Sequence, residues 1–244
     1  MHTYIKINGL GLALAVMAMG CGRTTEADHV PEKQATSHTD TAFVQEYHEG
    51  FVVHKEIAAA NDVRAIHLVA EEEVWIATGH GVYKKSKIAR DWEQMLPEEN
   101  IGPAYDLDSD ASGKVWLASW DGVYAMENNA LVQVPGPKPP IAKVLSTDEG
   151  VYAFGPYGIW LYSKNQWELK DFTNARSIRA VLSDKNGGLW LGTDIGLYHC
   201  KEEQTIAYQK NEDLISAYVK GLDFDEQGNL WVAGLGGVTI RNGD

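Results

Sequence analysis

An all-β fold of five repeated four-stranded sheets is predicted by three observations: one phrase written five times, a period near forty residues, and apolar runs too short for helices. VWIATGHGVY (74–83), VWLASWDGVY (115–124), VYAFGPYGIW (151–160), LWLGTDIGLY (189–198) and LWVAGLGGVT (230–239) align without a gap. An aromatic stands second in each (Trp75, Trp116, Tyr152, Trp190, Trp231) and a glycine eighth (Gly81, Gly122, Gly158, Gly196, Gly237). Successive glycines lie 41, 36, 38 and 41 residues apart. Repetition at that period, carried by alternating strands, is the pattern of a β-propeller of small radial sheets. Parallel β-helices repeat over shorter coils.

Each unit reads as a four-stranded meander. The first strand is short and apolar: VRAIHLV (63–69), AYDLD (104–108), IAKVLS (141–146), IRAVLS (178–183) and VKGLDF (219–224). It runs into a turn built on Asp and Gly, as in DASG (110–113), DEG (148–150), DKNGG (184–188) and DEQG (225–228). Asp bonds its own following backbone and Gly accepts positive φ, so these are turns with a mechanism. The second strand carries the aromatic, a tight turn holds the recurring glycine, and a third strand follows. DWEQM (91–95), ALVQV (130–134), QWELKDF (166–172) and QTIAYQ (204–209) supply more polar outer strands. β-Branched and aromatic runs with turns every several residues exclude helices.

The fifth unit reaches RNGD (241–244) before any outer strand. A strand-like segment, GFVVHKEI (50–57), precedes the first unit. Paired onto the last sheet, it makes five complete blades and a closed monomer, which removes the exposed edges of an open array. The alternative is an open fragment of a larger propeller.

The phrase G-x-L-W-x-G-T-x-x-G-L-Y, spanning Gly187 to Tyr198, resembles the two-component regulator propeller repeat of bacterial periplasmic sensors. The resemblance covers roughly residues 60–244. Tyr152 departs from its tryptophan, the third unit is two residues short in its turn, and Thr239 stands where an aromatic is usual. Family members normally carry more repeats, a further sensor domain and a kinase. The resemblance therefore implies ligand recognition with signalling ancestry, without transduction by this stretch alone.

Lys6 and the short apolar run 7–20 have the form of a secretory leader, too short for a stable membrane span. Cys21, preceded by Gly20, resembles the lipid acceptor of bacterial lipoproteins, with ordinary leader cleavage at the same bond as the alternative. Residues 21–49 are polar and Thr-rich and read as a flexible tether, leaving 50–244 as the propeller. The expected location is the periplasm or cell envelope, with membrane contact only through a lipid anchor. Cys200 then has no disulfide partner and reads as a small packed side chain.

Lys and Arg number 21 against 34 Asp and Glu, so 21 − 34 = −13, a balance that repels nucleic acid and anionic headgroups. Trp75, Trp116, Trp190 and Trp231 read as packing between blades. No cofactor or metal is expected, because no ligand spacing accompanies the scattered histidines.

Recognition belongs where the sequence varies over a repeating scaffold. The variable turn positions are His80, Trp120, Asp121, Pro156, Tyr157, Asp194 and Leu235. A first-strand column also stands out: Arg64, Tyr105, Lys143, Arg179 and Lys220, largely cationic in an acidic protein. It predicts a basic ring at the channel mouth, suited to a carboxylate, sulfate or phosphate. The alternative is ion pairing with acids of adjoining blades such as Asp106, Asp108 or Asp223. His80 with Asp121 or Asp194 is the only acid–base arrangement in view, in the manner of the streptogramin lyase that the chain distantly resembles. A lone histidine in a Gly-flanked turn is more simply a turn residue, so an enzyme is not expected. The sequence therefore predicts an extracytoplasmic, sensor-like propeller that binds an anionic or carbohydrate ligand. A protein-interaction scaffold of the envelope and a lyase-like propeller are the alternatives.

Overall fold

The computed structural model divides the chain into Met1–Asp40 and Thr41–Asp244. The described residues are 45–48, 51–54, 62–70, 72–97, 101–170, 172–173, 177–184, 186–201, 204–210 and 213–243, all in the second unit. The leader, Cys21 and most of the expected tether lie outside them.

Every described strand is antiparallel to its neighbours, and each sheet is a simple meander. A hairpin, β1 (Gln45–His48) with β2 (Phe51–His54), comes first. The first sheet is β3 (Val63–Val69), β4 (Glu73–Thr78), β5 (Gly81–Ser86) and β6 (Glu93–Pro97). The second is β7 (Ala104–Ser109), β8 (Val115–Ser119), β9 (Gly122–Glu127) and β10 (Ala130–Val134). The third is β11 (Lys143–Thr147), β12 (Gly150–Gly155), β13 (Gly158–Ser163) and β14 (Gln166–Lys170). The fourth is β15 (Ile178–Ser183), β16 (Leu189–Thr193), β17 (Leu197–Lys201) and β18 (Gln204–Tyr208). The fifth has three described strands, β19 (Val219–Phe224), β20 (Leu230–Gly234) and β21 (Gly237–Arg241).

The expected closing strand is thus corrected. Phe51–His54 pairs with Gln45–His48, from which only Glu49 and Gly50 separate it, and not with β21. A two-residue connection with glycine second is a hairpin signal, and closing it costs far less chain entropy than reaching the other end of the chain. Gln45–His48 is accordingly a strand inside the segment read as tether. Among the described residues the fifth sheet keeps three strands, and no N-terminal strand completes it.

Sheets pack face to face in chain order, with innermost strand against innermost strand: β3 on β7, β7 on β11, β11 on β15 and β15 on β19. Alternation along the second strand sends the repeated aromatic forward onto the next sheet and its neighbours backward. Trp75 and Ala77 meet Leu107, Val115 and Leu117 of the second sheet. Trp116 and Ala118 meet Val144, Val151 and Ala153 of the third. Tyr152 and Phe154 meet Ile178, Leu189 and Leu191 of the fourth, and Trp190 meets Val219, Leu230 and Val232 of the fifth. Small residues beside the aromatic leave room for the next inner strand. A Cβ on Gly192 would stand 2.5 Å from Val219 Cγ1.

Two polar devices fix the strand ends. Thr78, Ser119 and Thr193 are fully buried, and each donates its hydroxyl across the tight turn to the carbonyl of Gly81, Gly122 or Gly196, at 2.9, 3.0 and 2.8 Å. Those glycines hold φ of +117, +134 and +150°, which side-chain-bearing residues rarely adopt. At the opposite end the turn aspartates clasp both backbone and aromatic. Asp110 takes the amides of Ser112 and Lys114 and the Trp116 indole N–H, at 3.0, 3.1 and 3.2 Å. Asp225 repeats this with Gln227, Asn229 and Trp231, at 3.0, 2.8 and 2.9 Å. In the fourth sheet Asp184 takes the Asn186 and Gly188 amides and bonds His199 at 2.8 Å, and that imidazole stacks on Trp190 at 4.1 Å. Burial pushes the Asp110 and Asp184 carboxyls up, but these donors outweigh it and hold both below the usual value of 3.8. Asp225, led by its Trp231 bond, is lowered as well. Cys200 is buried, and burial pushes its thiol up to about 11, consistent with an inert packing role.

Candidate functional site

The basic column of the sequence coincides with a structural irregularity. In four sheets the pairing of first and second strands slips by one residue, between Val63/Ala65, Ala104/Asp106, Ile178/Ala180 and Val219/Gly221. The residues left over by these bulges are Arg64, Tyr105, Arg179 and Lys220. A bulged residue leaves the ladder and its side chain is re-aimed, which is why bulges recur beside binding sites. Lys143 is different. It pairs in register with Phe154, and Ala142 occupies the bulge-equivalent place. The register makes the third unit one residue short rather than two, because Lys143 and Phe154 pair 11 positions apart where Ala65 and Ala77 pair 12 apart, so an alignment that allows for a two-residue gap is displaced by one.

Each member has its own surroundings. Arg64 bonds Asp62 through Nε at 2.9 Å and lies over the Tyr105 ring at 5.0 Å. The Arg64 hydrogen bond holds the Asp62 carboxyl below its ordinary value. Lys143 Nζ meets Asp106 Oδ1 at 3.2 Å, while Asp106 Oδ2 accepts the Val144 amide at 3.1 Å. Burial pushes the Asp106 carboxyl up against the pull of Lys143 and Val144. Pairing with an acid of the adjoining sheet therefore holds at Lys143. Arg179 lies 4.2 Å over the ring of Tyr218. Among the described residues no carboxylate pairs with Arg179 or Lys220.

Three of the predicted cations share one groove of about 460 Å³, lined by Ala142, Lys143, Ser177, Ile178, Arg179, Tyr218 and Lys220. Its walls are the inner strands of the third, fourth and fifth sheets. Arg64 and Tyr105 belong to the first two sheets and are not among the lining residues. Sequence reasoning missed Ser177 and Tyr218. Each stands two residues before a bulged cation, in Ser-Ile-Arg and Tyr-Val-Lys, the pattern that would have found them.

The variable turns share this end of the sheets, because Val63, Ile178 and Val219, which start their strands, pair with Thr78, Thr193 and Gly234 at the turn side of theirs. His80, Asp121 and Asp194 are exposed on turns of three different sheets. The Thr78 hydroxyl oxygen accepts the His80 amide at 3.0 Å. Trp120, Tyr157, Ile195 and Leu235 are exposed apolar tips on four successive turns, and Lys138 covers the Tyr157 ring at 4.1 Å. Among the described residues no cluster of three His, Cys, Asp or Glu side chains forms a metal-binding group.

Comparison with known proteins agrees with this architecture. Residues 172–194 match the model of the family described as two component regulator propeller. No curated protein matches the chain by sequence. Among solved structures, the extracellular domain of the system BT4673 from B. thetaiotaomicron is similar at 18% identity and TM-score 0.64, over 80% of this chain and 28% of that one. This chain thus spans little more than a quarter of that domain. A catalytically inactive virginiamycin B lyase from Staphylococcus aureus, with quinupristin, is similar at 11% identity and TM-score 0.63, over 80% and 74%. PorZ, a surface component of the type-IX secretion system of Porphyromonas gingivalis, is similar at 14% identity and TM-score 0.55, over 75% and 28%. At these identities the likeness is one of fold, and the fold is the propeller.

Proposed function

We propose that the chain is an extracytoplasmic recognition module, sensor-like in kind, that binds an anionic ligand in the groove between its third, fourth and fifth sheets. The observation that carries this reading is the pair Arg179 and Lys220. Two bulges lift these cations out of the ladder, and no described carboxylate neutralises them, although the protein carries a net charge of −13. The like charges of Arg179 and Lys220, which no described carboxylate offsets, cost stability by repelling one another, and a bound anion relieves it. Tyr218 and the exposed turn aromatics add flat apolar surface, which fits a saccharide bearing carboxylate or sulfate groups. The leader-like N-terminus and the extracellular origin of the BT4673 domain support a location outside the cytoplasm. Recognition is favoured over catalysis because the described lining of the groove offers cations and a tyrosine without a carboxylate or histidine among them. The same apolar turn tips favour an envelope protein as the second reading.

The test is a thermal-shift panel of uronate and sulfated mono- and disaccharides, followed by calorimetric titration of any that raise Tm. The expected result is salt-sensitive binding that Arg179→Glu or Lys220→Glu abolishes and Lys164→Glu, on a turn at the opposite end, leaves intact. Binding unaffected by both groove variants overturns the site. A silent panel together with co-purification of an envelope protein through Trp120 and Tyr157 favours the second reading.

A further inference from the structure

The register of the inner strands separates the three cations of the groove into two kinds. In four sheets the inner-strand residue just after the bulge pairs with the fourth residue of the repeated phrase: Ala65 with Ala77, Asp106 with Ala118, Ala180 with Gly192 and Gly221 with Ala233. Lys143, opposite Phe154, holds that place in the third sheet. Read across the five sheets, this level is Ala65, Asp106, Lys143, Ala180 and Gly221. It carries one acid and one cation, and they fall on neighbouring inner strands. Arg179 and Lys220 stand one residue earlier, in their bulges, and the level beside them is filled by Ala180 and Gly221. The level that gives Lys143 a carboxylate gives them none.

Asp106 is placed to hold that lysine from behind. Its side chain is 14% exposed against 30% for Lys143, and of the two only the lysine lines the groove. The two carboxylate oxygens have separate partners: Oδ1 meets Lys143 Nζ at 3.2 Å, and Oδ2 accepts the Val144 amide at 3.1 Å. The bond to the backbone fixes the carboxylate against the third inner strand. Two residues on, Asp108 makes the same kind of bond to the Ser146 amide, at 2.7 Å. A pair withdrawn from solvent is screened less than an exposed one and so is held more firmly. A ligand anion that drew Lys143 away would leave Asp106 as an uncompensated, largely buried charge, which is strongly unfavourable. No such penalty attaches to Arg179 and Lys220. The groove is therefore lined by three cations but offers two.

We propose that Asp106 sets the ligand charge that the groove prefers. It acts through Lys143, as a positioning residue: the internal ion pair withholds that ammonium and leaves Arg179 and Lys220 to bind the anion. A second anionic group on the ligand, placed to reach Lys143, gains little in the wild-type chain. Asp106 has this role only if the groove binds anions as proposed above.

The test uses the full chain and cellobiose bearing one or two sulfate esters, whose charge is constant near neutral pH. Calorimetric titration at fixed salt compares wild type with Asp106→Asn, in which the amide oxygen can still accept the Val144 N–H. Asp148→Asn, on a turn at the opposite end of the sheets, controls for the change in net charge. In Asp106→Asn the affinity for the disulfate rises relative to the monosulfate by roughly 3- to 5-fold, the effect of one more partly exposed charge pair. Asp148→Asn leaves that ratio unchanged. Lysine acetylation read by mass spectrometry gives a signal that a merely structural role would not move. The disulfate protects Lys220 but not Lys143 in wild type, and protects both in Asp106→Asn. The wild-type half of this footprint does not require the variant to fold. An unchanged affinity ratio in a folded Asp106→Asn, or equal protection of Lys143 and Lys220 in wild type, overturns the role of Asp106 while anion binding stands. Failure of both sugars to bind, or binding that Arg179→Glu leaves intact, removes the groove reading itself and this role with it.

Discussion

The fourth and fifth sheets carry the same forward face and live in different surroundings. Trp190 packs on Val219, Leu230 and Val232 and is 3% exposed, while Trp231, at the same register, is 42% exposed. Leu197 is 2% exposed and its counterpart Val238 is 53%. Neither the strand nor its own sheet buries the repeated tryptophan; the following sheet does. Stability in such an array is therefore a sum of sheet terms and junction terms. The same substitution costs different amounts at the two places.

The widest separation is expected from Trp190→Ala against Trp231→Ala. The first opens a cavity inside a junction and should cost about 3–5 kcal/mol by urea denaturation. The second removes a half-exposed ring and its hydrogen bond to Asp225, about 1 kcal/mol. Equal losses would mean that the fifth-sheet face is covered after all.

Glycine turns give the next contrast. An alanine Cβ at Gly196, with φ of +150°, would lie 2.7 Å from the Tyr208 carbonyl oxygen, whereas at Gly236, with φ of +93°, nothing stands within 4 Å. Gly196→Ala should cost about 2–3 kcal/mol and Gly236→Ala about 1, as changes in denaturation midpoint at constant m value. Thr193→Val comes next, about 1–2 kcal/mol, because it takes from the Ile195 amide the hydroxyl oxygen that accepts it and leaves the Gly196 carbonyl with the Thr193 amide as its one remaining donor across the turn. The fifth sheet has Gly234 at that position and no hydroxyl to lose.

The smallest effect is that of pH on the turn clasps. Asp110, Asp184 and Asp225 all have folded-state values below 3.8. Their stabilisation is complete above the unfolded value and drains away as pH falls through the lower folded one. Thermal melts should thus hold steady down to about pH 4 as far as these groups are concerned and then decline. Asp110→Asn should flatten its share of that decline, and an undiminished acid slope in that variant would remove Asp110 as a contributor.

The meanders, their order and the role of the repeated aromatic were legible because a two-residue alternation and a fixed turn chemistry leave a regular trace. The bulges left none. One extra residue at the start of an inner strand changes neither hydrophobicity nor spacing to the tryptophan, so Arg64, Arg179 and Lys220 could be aligned but not explained. Lys143 was drawn into the same column through a shortened turn. The partner of Phe51–His54 was misassigned for another reason. Strand pattern marks a segment as a strand without naming the edge it joins, and the local Glu49-Gly50 connection decided the pairing. The clasping of indole by turn aspartate is visible only once the aspartate and tryptophan, six residues apart at Asp110 and Trp116, fold back onto one edge.

The contrast between the fourth-sheet and fifth-sheet tryptophans is tested most directly by brief oxidative footprinting in dilute solution, read by mass spectrometry. The account predicts fast modification of Trp231 and Trp120 and protection of Trp75, Trp116 and Trp190. Protection of Trp231 equal to that of Trp190 in the dilute monomer would contradict it, and would mean that the sheets close upon themselves within one chain.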